Sequence, residues 1–299
     1  RAAGGRDHRR GIPAFAAVPF RRGPGRQAVL AGTAATGGAV AAGEDPGRPG
    51  RPVVLWADSF SDAFDPEVPQ AAVAVLRDAG YQVIIPERSA CCGLTWISTG
   101  QLDGARRRLR GLLGVLAPYA QAGLPIVGLE PSCTAVLRSD LADLLPGDPR
   151  AVAVAEGVHT LAELLTAAPP LGPYPGWAPP SLAGTEIVAQ PHCHHHSVLG
   201  YTADQALLRQ AGASVTTLAG CCGLAGNFGM ERGHYEVSVA VAENALLPAL
   251  RAAPPGAVYL ADGFSCRTQA DQLAGVRGQH LAQLLAARLT AVPEETAAP

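Results

Sequence analysis

Short apolar runs alternate along this chain with longer stretches in which apolar residues recur every three or four positions. Each short run is typical of a buried β-strand, and the six runs lie at residues 52–56, 82–85, 125–129, 186–189, 214–218 and 257–260. Helical spacing is found at residues 102–122, 203–210 and 231–252. The Asp65-Pro66 pair favours a further helix start, with Asp65 as the N-cap and Pro66 as the first helical residue.

The order of these elements predicts an α/β fold built from two similar units. Because strands alternate with helices, each unit is expected to form a parallel sheet with helices on both faces. The first unit is predicted at residues 51–175 and the second at residues 181–299, joined by a stretch rich in Pro and Gly. Residues 1–50 are rich in Gly, Ala, Arg and Pro, which predicts a linker with a short apolar anchor at residues 12–15.

Composition narrows the classes of protein that fit. The chain has 299 residues, of which 48% are hydrophobic, so it can bury a large core. Its formal net charge of −2 gives no basic surface, so no nucleic-acid partner is expected. An apolar run of 18 or more residues is lacking, so no transmembrane segment is predicted. The first residue is not Met, which predicts that the sequence is a piece of a longer protein.

The seven cysteines form one pattern that occurs in both units. Each unit has a vicinal pair followed by glycine and then, at similar spacing, a single cysteine, and the second unit has one more thiol upstream. The first set is Cys91, Cys92 and Cys133, and the second set is Cys193, Cys221, Cys222 and Cys266. An odd number of cysteines in a chain of this length argues against a secreted disulfide framework and predicts a reducing compartment.

Each thiol group follows the carboxyl end of a predicted strand, which is the edge where open parallel sheets bind ligands. The second set should therefore meet at one edge although it comes from three distant segments. Four thiolates are the number that a 4Fe–4S cluster takes, and vicinal thiolates can reach two irons of one cluster. Gly223 and Gly226 would let the backbone pass close to inorganic sulfur. The alternative is a set of buried, inert cysteines.

The first unit has three thiols and no fourth. Asp58 or Glu130 could join Cys91, Cys92 and Cys133 to hold zinc or iron. The alternative is a degenerate repeat that only packs against the other half.

Four histidines, at positions 192, 194, 195 and 196, flank Cys193. Such a tract can bind metal. On an extended segment, however, neighbouring side chains point to opposite sides. A role beside the site is therefore favoured over direct ligation.

The repeated pattern Cys…Cys-Cys-Gly…Pro-x-Cys resembles the cysteine-rich CCG domain found in heterodisulfide reductase, in anaerobic glycerol-3-phosphate dehydrogenase and in the iron–sulfur subunits of lactate and glycolate oxidases. The segments Leu-Trp-Ala-Asp-Ser-Phe at 55–60, Pro-His-Cys-His-His-His at 191–196 and Ala-Asp-Gly-Phe-Ser-Cys at 261–266 are similar to the C-terminal region of fused FAD-linked oxidases. Those oxidases act on D-2-hydroxy acids such as D-lactate or D-2-hydroxyglutarate.

The resemblance implies an iron–sulfur electron-transfer domain that passes electrons from a flavin to a quinone or another carrier. The FAD would lie on a missing domain or on a partner subunit, and the protein would be cytoplasmic or peripheral to the inner membrane. Where the family pattern has a further cysteine, this chain has Glu130 and Gly263. Two other functions stay open: a structural zinc-binding interaction module, and a thiol–disulfide reductase that uses the vicinal pairs.

Overall fold

The computed structural model describes residues 5–23 and 50–289. Within these ranges the strands form two sheets in which every neighbouring pair is parallel. The first sheet has the order β2-β1-β3-β4 and the second has the order β6-β5-β7. The strands are β1 (Arg51–Trp56), β2 (Tyr81–Ile84), β3 (Ile126–Gly128), β4 (Val158–Thr160), β5 (Glu186–Ala189), β6 (Ser214–Thr217) and β7 (Val258–Leu260).

Helices flank both sheets, so the predicted α/β class is confirmed. The helices of the described residues are α1 (Ser59–Ala63), α2 (Glu67–Asp78), α3 (Leu94–Ser98), α4 (Leu102–Gln121), α5 (Pro131–Arg138), α6 (Asp140–Leu144), α7 (Pro149–Gly157), α8 (Leu161–Thr166), α9 (Thr202–Gln210), α10 (Tyr235–Glu243), α11 (Leu246–Ala252), α12 (Phe264–Ala274) and α13 (Leu281–Ala286).

The two sheets repeat one topology. In each sheet the first strand in the sequence is central, with the second strand on one side and the third on the other. The first sheet adds β4, which the apolar pattern did not predict. This strand has only three residues, and its middle residue is His159, so it gives no apolar run.

Two details of the predicted helices differ from the structure. The helix expected at residues 231–252 is two helices, α10 and α11, because the backbone leaves the helical conformation at Ala245 (φ −147°). Asp65 does not cap α2 with its side chain, and the helix begins at Glu67. The Asp65 carboxylate instead accepts a hydrogen bond from Arg267 of the second unit at 3.0 Å.

One apolar core is shared by the two sheets. It contains β-strand residues of both, such as Leu55 and Val127 from the first and Ile187 and Leu260 from the second. Helices α2 and α13 pack against each other in this core. A second core lies under α4 on the first sheet, and a third lies under α11 on the second sheet. The sheets are therefore packed together, while the unit boundaries drawn from the sequence stay a prediction.

Residues 5–11 lie against the second unit, whereas residues 15–22 lie against the first, where the Arg21 amide donates to Asp62 Oδ1 at 2.8 Å. The Arg10 guanidinium is buried and donates to Gly229 O at 2.8 Å, to Gln269 Oε1 at 2.8 Å and to Ser238 Oγ at 2.7 Å. Phe20 is part of the shared core. Residues 1–4 and 24–49, the rest of the predicted linker, lie outside the described residues. Helices that combine the length and the apolar character needed to cross a membrane are not found in the described ranges.

Candidate metal centre

The second thiol set lies where the sequence predicted it, past the carboxyl ends of the strands. Cys193 follows β5, Cys221 and Cys222 follow β6, and Cys266 lies in the first turn of α12, just after β7. Cys222 and Cys266 are buried, Cys221 is half-buried and Cys193 is exposed. The site therefore has a closed inner side and an open outer side.

Hydrogen bonds between successive thiols of the second set shift the pKa values of Cys193, Cys221 and Cys222. A hydrogen bond with Cys221, together with burial, raises the pKa of Cys193 well above its usual value. Hydrogen bonds with Cys221 and Cys266, and burial, do the same for the pKa of Cys222. The pKa of Cys221 is lowered by its hydrogen bonds with Cys193 and Cys222 and by the Gly223 amide, which lies 3.3 Å from its sulfur. Ionising all four thiols would place like charges beside one another, so the thiolate form of this set suits a cation or a cluster that neutralises it.

The glycine that follows the vicinal pair is required by a close approach of the backbone. Gly223 has φ +93°, and a Cβ at this position would lie 2.2 Å from Ser238 O of α10. Gly226 also has positive φ, at +64°, but a Cβ there would meet no atom within 4 Å. The lack of a side chain at Gly223 thus lets the Cys221–Cys222 turn pack against α10. At position 226 glycine is favoured only because the backbone is left-handed there.

The histidine tract is not the extended segment that the sequence suggested. Residues 193 and 194 are helical and continue into a π-helical turn at His195–Leu199. His192 lies just before this helical segment, and its ring stacks on that of His194 with centroids 5.3 Å apart. Their Nδ1 atoms lie 3.9 Å and 4.0 Å from the Cys193 sulfur. Potential ligand atoms of these three residues lie within 4.8 Å of one another.

His192 is the buried member of this group. Burial, aided by the charge of His194, lowers its pKa to about 4, so the ring is neutral at pH 7. Its Nδ1 accepts a hydrogen bond from the His194 backbone amide at 3.2 Å. The ring also fills the space beside Gly263, where a Cβ would lie 2.4 Å from His192 Cδ2. A neutral imidazole therefore borders the thiol site.

His195 turns away from the thiols. Its Nε2 lies 3.1 Å from Asp204 Oδ2 in a buried pair. Burial opposes the charged form of His195, but the Asp204 hydrogen bond and the negative charges of Asp204 and Asp262 together outweigh burial and raise the pKa of His195. Asp262, which is half-buried, is the third member of this group. Asp204 and Asp262 were not among the residues that the sequence singled out, because no spacing motif connects them to the histidine tract.

The first thiol set lies at the equivalent edge of the first sheet. Cys91 and Cys92 follow β2, and Cys133 lies in α5, after β3. The sulfurs of Cys92 and Cys133 are 3.1 Å apart, longer than the ~2.05 Å of a disulfide bond, and both side chains are buried. Cys91 is half-buried, and its hydrogen bond with Cys92 raises its pKa. These two sheet edges therefore carry similar sets, of three thiols and of four.

The two carboxylates considered as a fourth ligand are occupied by helix capping. Asp58 accepts from the backbone of Phe60 at 2.8 Å and from Ser61 Oγ at 2.6 Å, at the start of α1. Burial, and then the charge of Glu130, raises the pKa of Asp58. Glu130 accepts from Ser132 Oγ at 2.8 Å and from the Phe264 backbone amide at 2.8 Å. Each carboxylate oxygen thus already has a hydrogen-bond donor.

Residues 58–138 match the family model of the cysteine-rich CCG domain. The resemblance to the CCG domain that was inferred from the sequence is therefore confirmed for this part of the chain, which contains the whole first thiol set.

Curated relatives extend the similarity beyond that domain. D-2-hydroxyglutarate dehydrogenase of Pseudomonas putida is 25% identical over 251 residues, which cover 79% of this chain and 22% of that protein. A subunit of the anaerobic glycerol-3-phosphate dehydrogenase of Escherichia coli strain K12 is 25% identical over 253 residues, covering 79% of this chain and 59% of that subunit. Lactate utilization protein A of Bacillus velezensis is 26% identical over 197 residues, covering 60% of this chain and 75% of that protein.

The chain is therefore much shorter than the first two of these relatives, of which it spans 22% and 59%. Their names describe a dehydrogenase and a dehydrogenase subunit, so the similarity is to oxidoreductases.

Proposed function

We propose that this chain is the iron–sulfur electron-transfer domain of an FAD-dependent D-2-hydroxy acid dehydrogenase of the D-lactate, D-2-hydroxyglutarate or glycolate type. The observation that carries the proposal is a succession of hydrogen bonds, from Cys193 to Cys221, from Cys221 to Cys222 and from Cys222 to Cys266, past the carboxyl ends of three neighbouring strands. These four thiols would hold a 4Fe–4S cluster, which accepts and releases electrons one at a time when bound.

The protein's own residues would set the environment of that centre. The Gly223 amide directs its N–H to the Cys221 sulfur and stabilises negative charge there. Burial of Cys222 and Cys266 keeps water from the inner side. The exposed Cys193 lies on the outer side, which a redox partner could approach.

The partners follow from the similarity to longer dehydrogenases. A flavin-binding domain or subunit would supply the electrons, and a quinone or another carrier would accept them. We expect the protein to work in the cytoplasm, at the surface of the inner membrane if the acceptor is a quinone. The first thiol set, Cys91, Cys92 and Cys133, would form a second site for zinc or iron, because Cys92 hydrogen-bonds with Cys91 and with Cys133 past the ends of two strands.

Thiol–disulfide exchange is the second candidate function. The separation of 3.1 Å between the Cys92 and Cys133 sulfurs favours it, because a small movement would bring them to bonding distance. Their burial counts against it, since an external disulfide would have to reach them through Cys91.

Purification of the full chain without oxygen, followed by iron, sulfide and zinc analysis, tests the proposal. We expect iron and sulfide in equal amounts and broad visible absorption. The Cys222→Ser variant should lose most of the absorption while its unfolding curve in urea keeps a single cooperative transition. Cys92→Ser is the matched control, because it changes the equivalent buried thiol of the first set.

The absorption of Cys92→Ser should stay at half of the wild-type value or more. An unchanged spectrum in Cys222→Ser would overturn the ligand assignment. Zinc without iron in the wild-type chain would support the structural zinc module instead.

A further inference from the structure

Glu130 and Gly263 occupy equivalent positions in the two repeats. Each lies three residues before a single cysteine and directly before the helix that carries it: Glu130 before α5 with Cys133, and Gly263 before α12 with Cys266. Glu130 caps its own helix through Ser132. Gly263 has no side chain and gives α12 no cap.

The space for a side chain at position 263 is already filled. A Cβ on Gly263 would lie 2.4 Å from the Cδ2 atom of the buried His192 ring. A capping residue such as Ser or Asp would therefore collide with the ring. Helix α12 has to receive its cap from elsewhere.

Glu130 supplies it across the boundary between the units. Its Oε2 accepts from the Phe264 amide, the first N–H of α12, at 2.8 Å, while Oε1 accepts from Ser132 Oγ of α5. Glu130 is 4% exposed, so this double cap is shielded from water. A carboxylate at the N-terminus of a helix is also stabilised by the helix dipole, and here it faces two helices at once.

A neighbouring bond strengthens the same junction. His280 of the second unit lies 3.1 Å, through Nε2, from the carbonyl oxygen of Leu129, the residue before Glu130. The Ala282 amide donates to His280 Nδ1, so Nε2 carries the proton and donates it to Leu129. Two consecutive residues of the first unit are thus hydrogen-bonded to the second.

We propose that Glu130 is a positioning residue that holds both thiol sites in place, by capping the helix of Cys133 and the helix of Cys266 with one carboxylate. It acts on the second site although it belongs to the first unit. The inference deepens the proposed function and rests on it only for the spectroscopic readout below.

Alkylation of single thiols tests this in the full chain after iron has been removed by a chelator. Iodoacetamide labelling of Cys266, followed by mass spectrometry, reports how often the start of α12 opens. In Glu130→Ala, loss of the buried charged hydrogen bond should raise the labelling rate of Cys266 by about tenfold or more. Cys133 should respond in the same direction.

Glu130→Gln is the conservative variant. Its amide oxygen can still accept from Phe264 while its NH₂ donates to the Ser132 hydroxyl, so labelling of Cys266 should stay within about twofold of wild type. Glu163→Gln is the matched control. Glu163 also caps a helix of the first unit, α8, with a 2.8 Å bond to the Thr160 amide, but its partners lie in the first unit.

Iron loss provides the second readout. In the chain as purified, a chelator should bleach the visible absorption of Glu130→Ala faster than that of wild type, Glu130→Gln or Glu163→Gln. Faster labelling of Cys133 alone, with Cys266 unchanged, would overturn the proposal, because Glu130 would then serve only its own helix. If the wild-type chain holds no iron–sulfur centre, the proposed function fails, while the labelling experiment still decides the role of Glu130.

Discussion

The two glycines after Cys222 offer a test of how closely the backbone approaches α10. Gly223 and Gly226 both have positive φ, so alanine at either position pays the cost of a left-handed conformation, about 1–2 kcal/mol. They differ in their surroundings. A Cβ at position 223 would lie 2.2 Å from Ser238 O and 3.2 Å from the Ala242 amide, whereas one at 226 would have open space.

The difference sets the size of the expected effect. Gly226→Ala should lower the free energy of unfolding by about 1–2 kcal/mol. Gly223→Ala adds an overlap with backbone atoms that cannot rotate away, which costs a further ~1–3 kcal/mol as the turn or α10 shifts. The total for Gly223→Ala is therefore about 2–5 kcal/mol.

Urea unfolding of both variants measures these values, because the midpoint falls with stability while the slope stays constant. The shift of the turn should also weaken the second thiol site, so Gly223→Ala should retain less iron than Gly226→Ala. Equal stability and equal iron content in the two variants would refute the close approach of the Cys221–Cys222 turn to α10.

Two further predictions concern the first unit. Burial lowers the pKa of His159, so this side chain takes up a proton at higher pH in the unfolded chain than in the folded chain. The neutral His159 therefore makes its full contribution to stability above pH ~6.5, and this contribution is lost as the pH falls. Urea unfolding should therefore show a loss of stability from pH 7 to pH 5 that is smaller in His159→Gln, and equal losses would contradict the burial of His159. Asp58→Asn should leave the metal content unchanged and lower stability by no more than about 1 kcal/mol, because asparagine is also a good N-cap. Loss of bound metal in this variant would show instead that Asp58 is a ligand.

The sequence predicted every strand of the described residues except β4, and the placement of the thiols after the strands, because both depend on short-range patterns. Apolar runs mark β1 and β5 directly, and a thiol just beyond a parallel strand must lie at its carboxyl edge. The same reasoning failed for the histidine tract. Its π-helical turn depends on packing, such as the pair of His195 with Asp204, and local sequence does not reveal that pair.

Contacts between the units were also beyond the sequence. Glu130 and Phe264 are 134 residues apart, and no periodicity relates a carboxylate to a distant backbone amide. The sequence could show only that Glu130 follows a strand and lies three residues before Cys133, which fits a ligand as well as a cap. The structure favours the role of a cap, because each oxygen of the Glu130 carboxylate accepts a hydrogen bond.

The buried Arg10 side chain has a consequence for where this protein can be cut. Arg10 binds Ser238 and Gln269, and these residues also border the Cβ position of Gly223. A shortened chain that starts after residue 23 would deprive Gln269 Oε1 and the Gly229 carbonyl of this donor, at about 1–3 kcal/mol for each buried group. A fragment whose ends are chosen from the cysteine spacing alone would therefore lack the N-terminal segment that supports the residues packed against the Cys221–Cys222 turn.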